Sequence, residues 1–255
     1  KYANFWAIGG SWNIHNDFIS EDSKISNLKL RVSTGISGND FIGDFASQSL
    51  YQYRFNYNGS GVPTLARGSN PNLTWEKNTN SNLGLDFGLF NNRITGSFDY
   101  YIKTTKDLLN DVPIPLTSGF ETLTSNIGEF ENKGFEIALQ SVNVRSDDFS
   151  WTTNISFSNN KGKVKSLTED RELIELGSIA YKEGSPINAL YIADWAGVNP
   201  DTGFNQYRDD SGNLVDYVTF PLNNRNEIVQ LRRVTDKTST PTYHGGITNA
   251  FKYKN

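Results

Sequence analysis

Residues 82–103 read Asn82-Leu83-Gly84-Leu85-Asp86-Phe87-Gly88-Leu89-Phe90-Asn91-Asn92-Arg93-Ile94-Thr95-Gly96-Ser97-Phe98-Asp99-Tyr100-Tyr101-Ile102-Lys103. Two runs of strict alternation flank a polar turn. Before it, Leu83, Leu85, Phe87 and Leu89 oppose Gly84, Asp86 and Gly88. After it, Ile94, Gly96, Phe98, Tyr100 and Ile102 oppose Thr95, Ser97, Asp99, Tyr101 and Lys103. Side chains of a strand point alternately to opposite faces, so period two gives each run one apolar and one polar face. Asn tolerates positive φ, so Asn91-Asn92 reads as a two-residue hairpin turn.

The same pattern recurs outward from this hairpin. Leu28, Leu30 and Val32 oppose Lys29, Arg31 and Ser33. Phe135, Ile137 and Leu139 oppose Glu136, Ala138 and Gln140. Trp151, Thr153, Ile155 and Phe157 oppose Thr152, Asn154, Ser156 and Ser158. Residues 5–14, with two Trp and a Gly pair, and residues 243–253 also read as strands, which makes seven. In the last one Asn249 falls on the apolar side, where a bulge or an interfacial position is expected. Gly9-Gly10 and Gly245-Gly246 lie within strands and suggest close packing or bulges.

Alternation alone also fits an ordinary half-buried sheet of a soluble protein. The connections separate the two readings. They run from His15 to Ser26, Ile36 to Asn72, Asn91-Asn92, Thr104 to Glu131, around Arg145 to Asp148, and Lys161 to Thr242. Short and long alternate without exception. In an up-and-down barrel alternate connections lie on one side of the membrane, and outer-membrane barrels keep periplasmic turns short and extracellular loops long. A soluble sandwich has no reason to sort its loops by parity.

Composition agrees. The 255 residues hold 13% aromatics within 36% hydrophobics, with abundant Asn, Ser, Thr and Gly, which favours strands and turns over helices. No apolar run approaches the roughly 20 residues of a spanning helix, so a membrane would be crossed by strands. Cys is absent, which removes disulfides, thiolate metal sites and a Cys nucleophile. A net charge of −4 argues against nucleic acid as a partner. Met is also absent, even at position 1, and part of a longer chain is expected.

An ordered series of motifs then points to one family. Asn70-Pro71-Asn72-Leu73-Thr74-Trp75-Glu76 opens a strand that runs through Asn82 to Phe90 into Asn91-Asn92-Arg93-Ile94-Thr95-Gly96. Asp99-Tyr100-Tyr101, Lys103 to Leu109 and Val112-Pro113 follow. So do Ser118-Gly119-Phe120, Asn126-Ile127-Gly128, Glu131 to Glu136, Phe149-Ser150-Trp151 and Gly245 to Phe251. Trp12-Asn13-Ile14 with Phe18, and Leu28 to Ser33 with Gly35 and Gly38-Asn39, precede them in the same order. The series resembles the C-terminal half of SusC-type TonB-dependent outer-membrane transporters, along most of the chain.

The resemblance implies an all-β fold, a transmembrane antiparallel barrel segment with long extracellular loops. Residues 1–255 would form part of a single barrel domain, seven of about 22 strands. A signal peptide, an N-terminal β-domain and a plug would lie outside this sequence. It also implies import of glycans or peptides across the outer membrane. The partners would be a SusD-like surface lipoprotein, TonB through the missing N-terminal part, and outer-membrane lipid. The alternative role is a structural or assembly component of a larger outer-membrane complex. A soluble carbohydrate-binding β-protein is the third possibility.

Expected lipid-facing residues are Leu83, Leu85, Phe87, Leu89, Ile94, Phe98, Tyr100, Ile102, Phe135, Ile137, Leu139, Trp151, Ile155 and Phe157. Trp151, Tyr100, Tyr101 and Tyr253, near strand ends, suit an aromatic girdle. Tyr51, Tyr53, Phe55 and Tyr57 alternate inside a long loop, where an extension of the wall above the membrane is expected, with stacking on a sugar or a partner as the alternative. Tyr51, Tyr53, Tyr57, Tyr191, Trp195 and Tyr207 are the candidate extracellular contacts.

No catalytic constellation, metal site or cofactor motif is expected. The two histidines, His15 and His244, read as solvated. Paired acids such as Asp147-Asp148 lie in turns. Arg208-Asp209-Asp210-Ser211-Gly212-Asn213 has a calcium-loop flavour but lacks the alternate ligands and the distant bidentate acid, so a polar turn is expected. No enzyme activity is expected.

Overall fold

A computed structural model of the chain describes residues 4–20, 23–39, 45, 47–168, 171–209, 211–217 and 231–254. In chain order the elements are β1 (Trp6–Asn13), α1 (Ile14–Phe18), β2 (Ile25–Asn39), β3 (Leu50–Tyr57), β4 (Ser60–Arg67), β5 (Glu76–Leu89), β6 (Ile94–Lys106), β7 (Leu109–Pro113), β8 (Thr122–Asn126) and β9 (Gly128–Arg145). Then follow β10 (Phe149–Leu167), β11 (Leu173–Leu176), β12 (Ile179–Lys182), β13 (Ala189–Val198), β14 (Asn205–Arg208), β15 (Leu214–Tyr217), β16 (Arg232–Thr238) and β17 (Tyr243–Tyr253).

Seven of these form one antiparallel sheet in the order β1-β2-β5-β6-β9-β10-β17. They are the seven strands expected from alternation. Each pairs with its predecessor among the seven, so the sheet is a meander, the layout of an up-and-down barrel wall. The other strands are insertions between wall strands, and all leave from one end of the sheet. The opposite end carries short connections.

Those short connections differ in detail from the expectation. The link after β1 contains α1, where the Trp12 indole N–H donates to Asp17 at 2.6 Å and the Trp12 ring meets Phe18 edge-on. The turn between β5 and β6 spans Phe90 to Arg93 rather than two residues. Phe90, Asn91 and Asn92 all have positive φ, near 53–57°. Left-handed Phe is uncommon. The turn is held from outside: the Phe90 N–H donates to the Lys24 carbonyl at 2.7 Å, and the Asn92 N–H to Ser26 Oγ at 3.1 Å.

The strands also run further into the loops than periodicity indicates. Strand β10 continues to Leu167 and β6 to Lys106, while β9 starts at Gly128. By contrast, Asn70 to Trp75 does not open β5, which begins at Glu76. That segment is latched by side-chain amides instead. Asn126 accepts from the Thr74 N–H at 2.9 Å and donates back to its carbonyl at 3.0 Å, and the Asn70 amide donates to the Thr124 carbonyl.

Packing is unequal. The large fully buried side chains Phe130, Ile127, Ile174, Val112 and Val164 do not sit behind the wall's apolar rows. They form one cluster with Tyr181 at the long-loop end. Phe130 and Val164 are cross-strand partners on β9 and β10 and share the polar side of the wall. Val112 comes from β7, Ile127 from the link between β8 and β9, and Ile174 and Tyr181 from β11 and β12. The loops thus fold into a layer that packs against the polar side of the wall at its long-loop end. Strands β11 to β16 extend it as a six-stranded sheet built around β13.

Candidate functional site

Register settles which side chains share a face, because residues directly opposite in a ladder point the same way. One row runs through all seven wall strands: Trp12, Leu30, Leu85, Phe98, Ile137, Phe157 and Gly245. Its neighbours are Leu28-Phe87-Gly96-Leu139-Ile155-Ile247 and Val32-Leu83-Tyr100-Phe135-Asn159-Tyr243. Leu89 pairs with Ile94, Ile102 with Lys133, and Trp151 with Phe251 on the same side. The apolar residues singled out from sequence therefore lie on one face. It is left open: Val32 is 55% exposed, Leu83 48% and Ile247 69%.

Asn249 is on this face without a register shift, so it is not a bulge. Its side-chain oxygen accepts from the Trp151 indole N–H at 3.0 Å and from the Thr153 hydroxyl at 2.7 Å. Trp151 stacks on Phe251 with centroids 5.6 Å apart. Tyr101 departs from its expected place in an aromatic girdle. Parity puts it on the polar face, where its hydroxyl donates to Asn160 at 3.1 Å.

The polar face holds a charge cluster that sequence reasoning missed. Arg31 Nε and Nη2 each donate to one oxygen of Asp86 at 2.8 Å, and Nη2 also meets the Asp99 carboxylate at 3.1 Å. Near the long-loop end of this face, the Thr105 hydroxyl donates to Asn78 at 2.7 Å, and the Asn78 amide donates to buried Glu76 at 2.9 Å. All six carry polar parity in the sequence, but only the register shows which of them meet. A shallow hollow lined by Asp86, Thr95, Ser97, Gln140, Ser156 and Thr248 lies further along the same face.

The loop aromatics divide into exposed and enclosed. Tyr51, Tyr53 and Tyr57 are 67%, 75% and 79% exposed on β3, which pairs with β4 as a separate two-stranded hairpin. They do not extend the wall as expected; the chain leaves the sheet after Asn39 and rejoins it at Glu76. Trp195 is exposed on β13, with its indole N–H donating to Asn205. Tyr207 meets Tyr217 edge-on at 5.9 Å. Tyr191 is buried and donates to Glu175 at 3.1 Å, so it is used within the loop layer rather than presented at its surface.

The acid-rich loop is a turn. Asp209 accepts from the Ser211 N–H at 2.9 Å and the Asn213 N–H at 2.8 Å, and Asn213 also donates its amide. Asp210 lies outside the described residues. His15 falls in α1 and His244 on β17. Among the described residues, no group of three or more His, Asp or Glu is placed to hold a metal ion.

The family model described as TonB dependent receptor-like, beta-barrel matches residues 2–251. A TonB-dependent receptor of Formosa agariphila is 39% identical over 74% of this chain and 18% of its own length. The TonB-dependent receptor SusC of Bacteroides thetaiotaomicron is 31% identical over the whole chain and 26% of its own length. The structure of the RagAB peptide transporter superposes with a TM-score of 0.86 at 30% identity, over 98% of this chain and 28% of that one. The chain thus spans about a quarter or less of the relatives it matches. A meander with one open apolar face, a polar face and loops folded at one end is a barrel segment, and the chain belongs to the TonB dependent receptor-like, beta-barrel family, as a SusC-like member.

Proposed function

We propose that these strands form part of the wall of an outer-membrane transporter, with the apolar rows against lipid and the polar face lining the lumen. The observation that carries this is the mismatch between burial and hydrophobicity. The wall's Leu, Phe and Ile rows stay open, while the packed core lies in the loop layer on the other face. An apolar band that large on a sheet needs a partner, and lipid supplies it without a matching protein surface. The short connections then face the periplasm and the folded layer faces outside.

On this reading the protein takes up glycans or peptides together with a SusD-like surface lipoprotein, driven through TonB. RagAB is described as a peptide transporter, which keeps peptides among the candidate cargoes. Tyr51, Tyr53, Tyr57 and Trp195 are the aromatic faces best placed to meet a lid or a cargo. The polar-face cluster of Arg31, Asp86 and Asp99 stiffens the wall where the lumen must stay wet.

Cell fractionation and uptake by the full-length protein that carries this segment test the reading. Recovery in the detergent-requiring membrane fraction is expected, with gel migration that changes on heating. Uptake of labelled oligosaccharide or peptide should need both the protein and the proton-motive force. A product that stays soluble without detergent would sink the proposal. A membrane-inserted protein without energised uptake would instead mark an assembly component.

A further inference from the structure

The apolar face changes character at its loop end. The row Val32-Leu83-Tyr100-Phe135-Asn159-Tyr243 carries three aromatics. The next row toward the loops pairs Ile102 with Lys133 and Lys133 with Lys161. The row after that pairs Thr104 with Glu131 and Glu131 with Lys163. Rows on one face are about 7 Å apart along a strand, so the ammonium groups stand just beyond the aromatic level. Lys106 and Lys165 join them from the flanks, bonded to Glu129 at 3.3 Å and Glu131 at 3.9 Å.

The balance within this patch is positive. Five lysines face two glutamates. Lys106 takes Glu129, and Glu131 is shared between Lys133 and Lys165 at 4.0 and 3.9 Å. Lys161 and Lys163 have no ion pair among the described residues, and both are exposed. Lys133 and Lys161 are directly opposite each other on neighbouring strands, an arrangement that costs stability unless an anion sits between them. Lys133, Lys161 and Lys163 line a cleft of about 560 Å³ together with Glu131, Asp236, Thr238, Thr240 and Thr242, and Asp236 is paired with Lys237 at 3.3 Å. At the other end of the apolar rows Ser141, Thr153 and Asn249 share the level inside the Trp151–Phe251 pair, and Lys254 stands over the Tyr253 ring beyond it.

We infer that Lys133, Lys161 and Lys163 form a binding site on the outside of the barrel for the phosphate groups of an anionic lipid headgroup in the outer leaflet. The inference rests on the proposed placement of the apolar face in lipid. Lysine stems lie along apolar surface while their ammonium groups reach the headgroup level, and each basic side chain there favours anionic lipid.

The test is lipid binding by the full-length protein in dodecyl maltoside micelles, with diphosphorylated lipid A, its monophosphorylated form and phosphatidylcholine as probes. The expected order is diphosphorylated above monophosphorylated above phosphatidylcholine. A variant with Lys133→Gln, Lys161→Gln and Lys163→Gln should bind diphosphorylated lipid A about tenfold more weakly or worse. Lys29→Gln, on the polar face, should leave binding unchanged. Equal affinity in the triple variant, or displacement of the lipid by millimolar inorganic phosphate alone, would overturn the site. Loss of heat-modifiable migration in the unsubstituted protein would instead overturn the barrel reading beneath it.

Discussion

Arg31 reaches Asp99 across the bare backbone of Gly84, on a strand that is not its neighbour. Arg31 is on β2, Gly84 on β5 and Asp99 on β6, all in one row of the polar face. A Cβ at Gly84 would lie 2.6 Å from Asp99 Oδ1 and 2.7 Å from Arg31 Cζ. Tyr101 repeats the device, crossing Gly134 to reach Asn160 at 3.1 Å. A glycine in the middle strand lets a long side chain lie flat and join three strands.

Gly84→Val should therefore cost about 1–3 kcal/mol through overpacking, measured by denaturant unfolding of the full-length protein in micelles. Arg31→Ala should cost about 1 kcal/mol, as expected for a partly exposed charge pair. Both substitutions remove the same crossing, so the double variant should cost less than their sum. Strict additivity would show that Gly84 does not serve Arg31.

Phe98 lies on the open apolar face in the row of Leu85 and Ile137, and Thr95 lies on the polar face with Gln140. Phe98→Arg should cost about 2–4 kcal/mol if that face meets the bilayer interior. Thr95→Arg, toward a wet lumen, should cost much less. Equal losses in unfolding free energy in lipid vesicles would break the assigned facing.

The wall was legible in the sequence because period two repeats over many residues and a one-step slip would turn every Leu and Phe to the polar face. Leu83 to Leu89 and Ile94 to Ile102 needed no tertiary information. What escaped was set by contacts across the sheet or between loops. The polar parity of Tyr101 is plain in the sequence, but its partner Asn160, two strands away across Gly134, is not. The Asn70–Trp75 segment looks strand-like, yet Asn126 satisfies its backbone. Tyr191 and Trp195 are alike as loop aromatics; burial against Glu175 separates them only once β13 is packed. The Arg31 cluster needed the register of three strands.

The loop layer should open independently of the wall. Phe130 is 2% exposed and meets Tyr181 edge-on at 5.0 Å, at the centre of the cluster that joins β9 and β10 to β7, β11 and β12. Phe130→Ala should remove about 3–5 kcal/mol of packing. Because the wall is held by its own ladders, the loss should appear as faster proteolysis within residues 171–209 while heat-modifiable migration persists. Loss of the compact form in the same step would show that layer and wall are one cooperative unit.

Acid should loosen the β14–β15 hairpin first. Asp216 accepts from the Gln206 amide at 2.7 Å, the Asn199 amide at 2.7 Å and the Thr202 hydroxyl at 3.1 Å. These hydrogen bonds hold its carboxyl below the ordinary carboxylate range. Asp209 is lowered in the same way by the Asn213 side chain and by backbone N–H groups of its own turn. A group whose pKa falls on folding stabilises the fold fully above its unfolded value, about 3.9 for Asp. That contribution disappears as pH drops through the lower folded value. Amide protection in residues 199–217 should therefore be flat from pH 7 to about 5 and fall below about 4. Asp216→Asn removes the charge that the three donors share, so its protection should already be reduced at pH 7 and its acid step smaller. Because both carboxylates are solvated, salt should mute the effect. Protection that stays constant down to pH 2 would mean that the hairpin is held by its ladder alone.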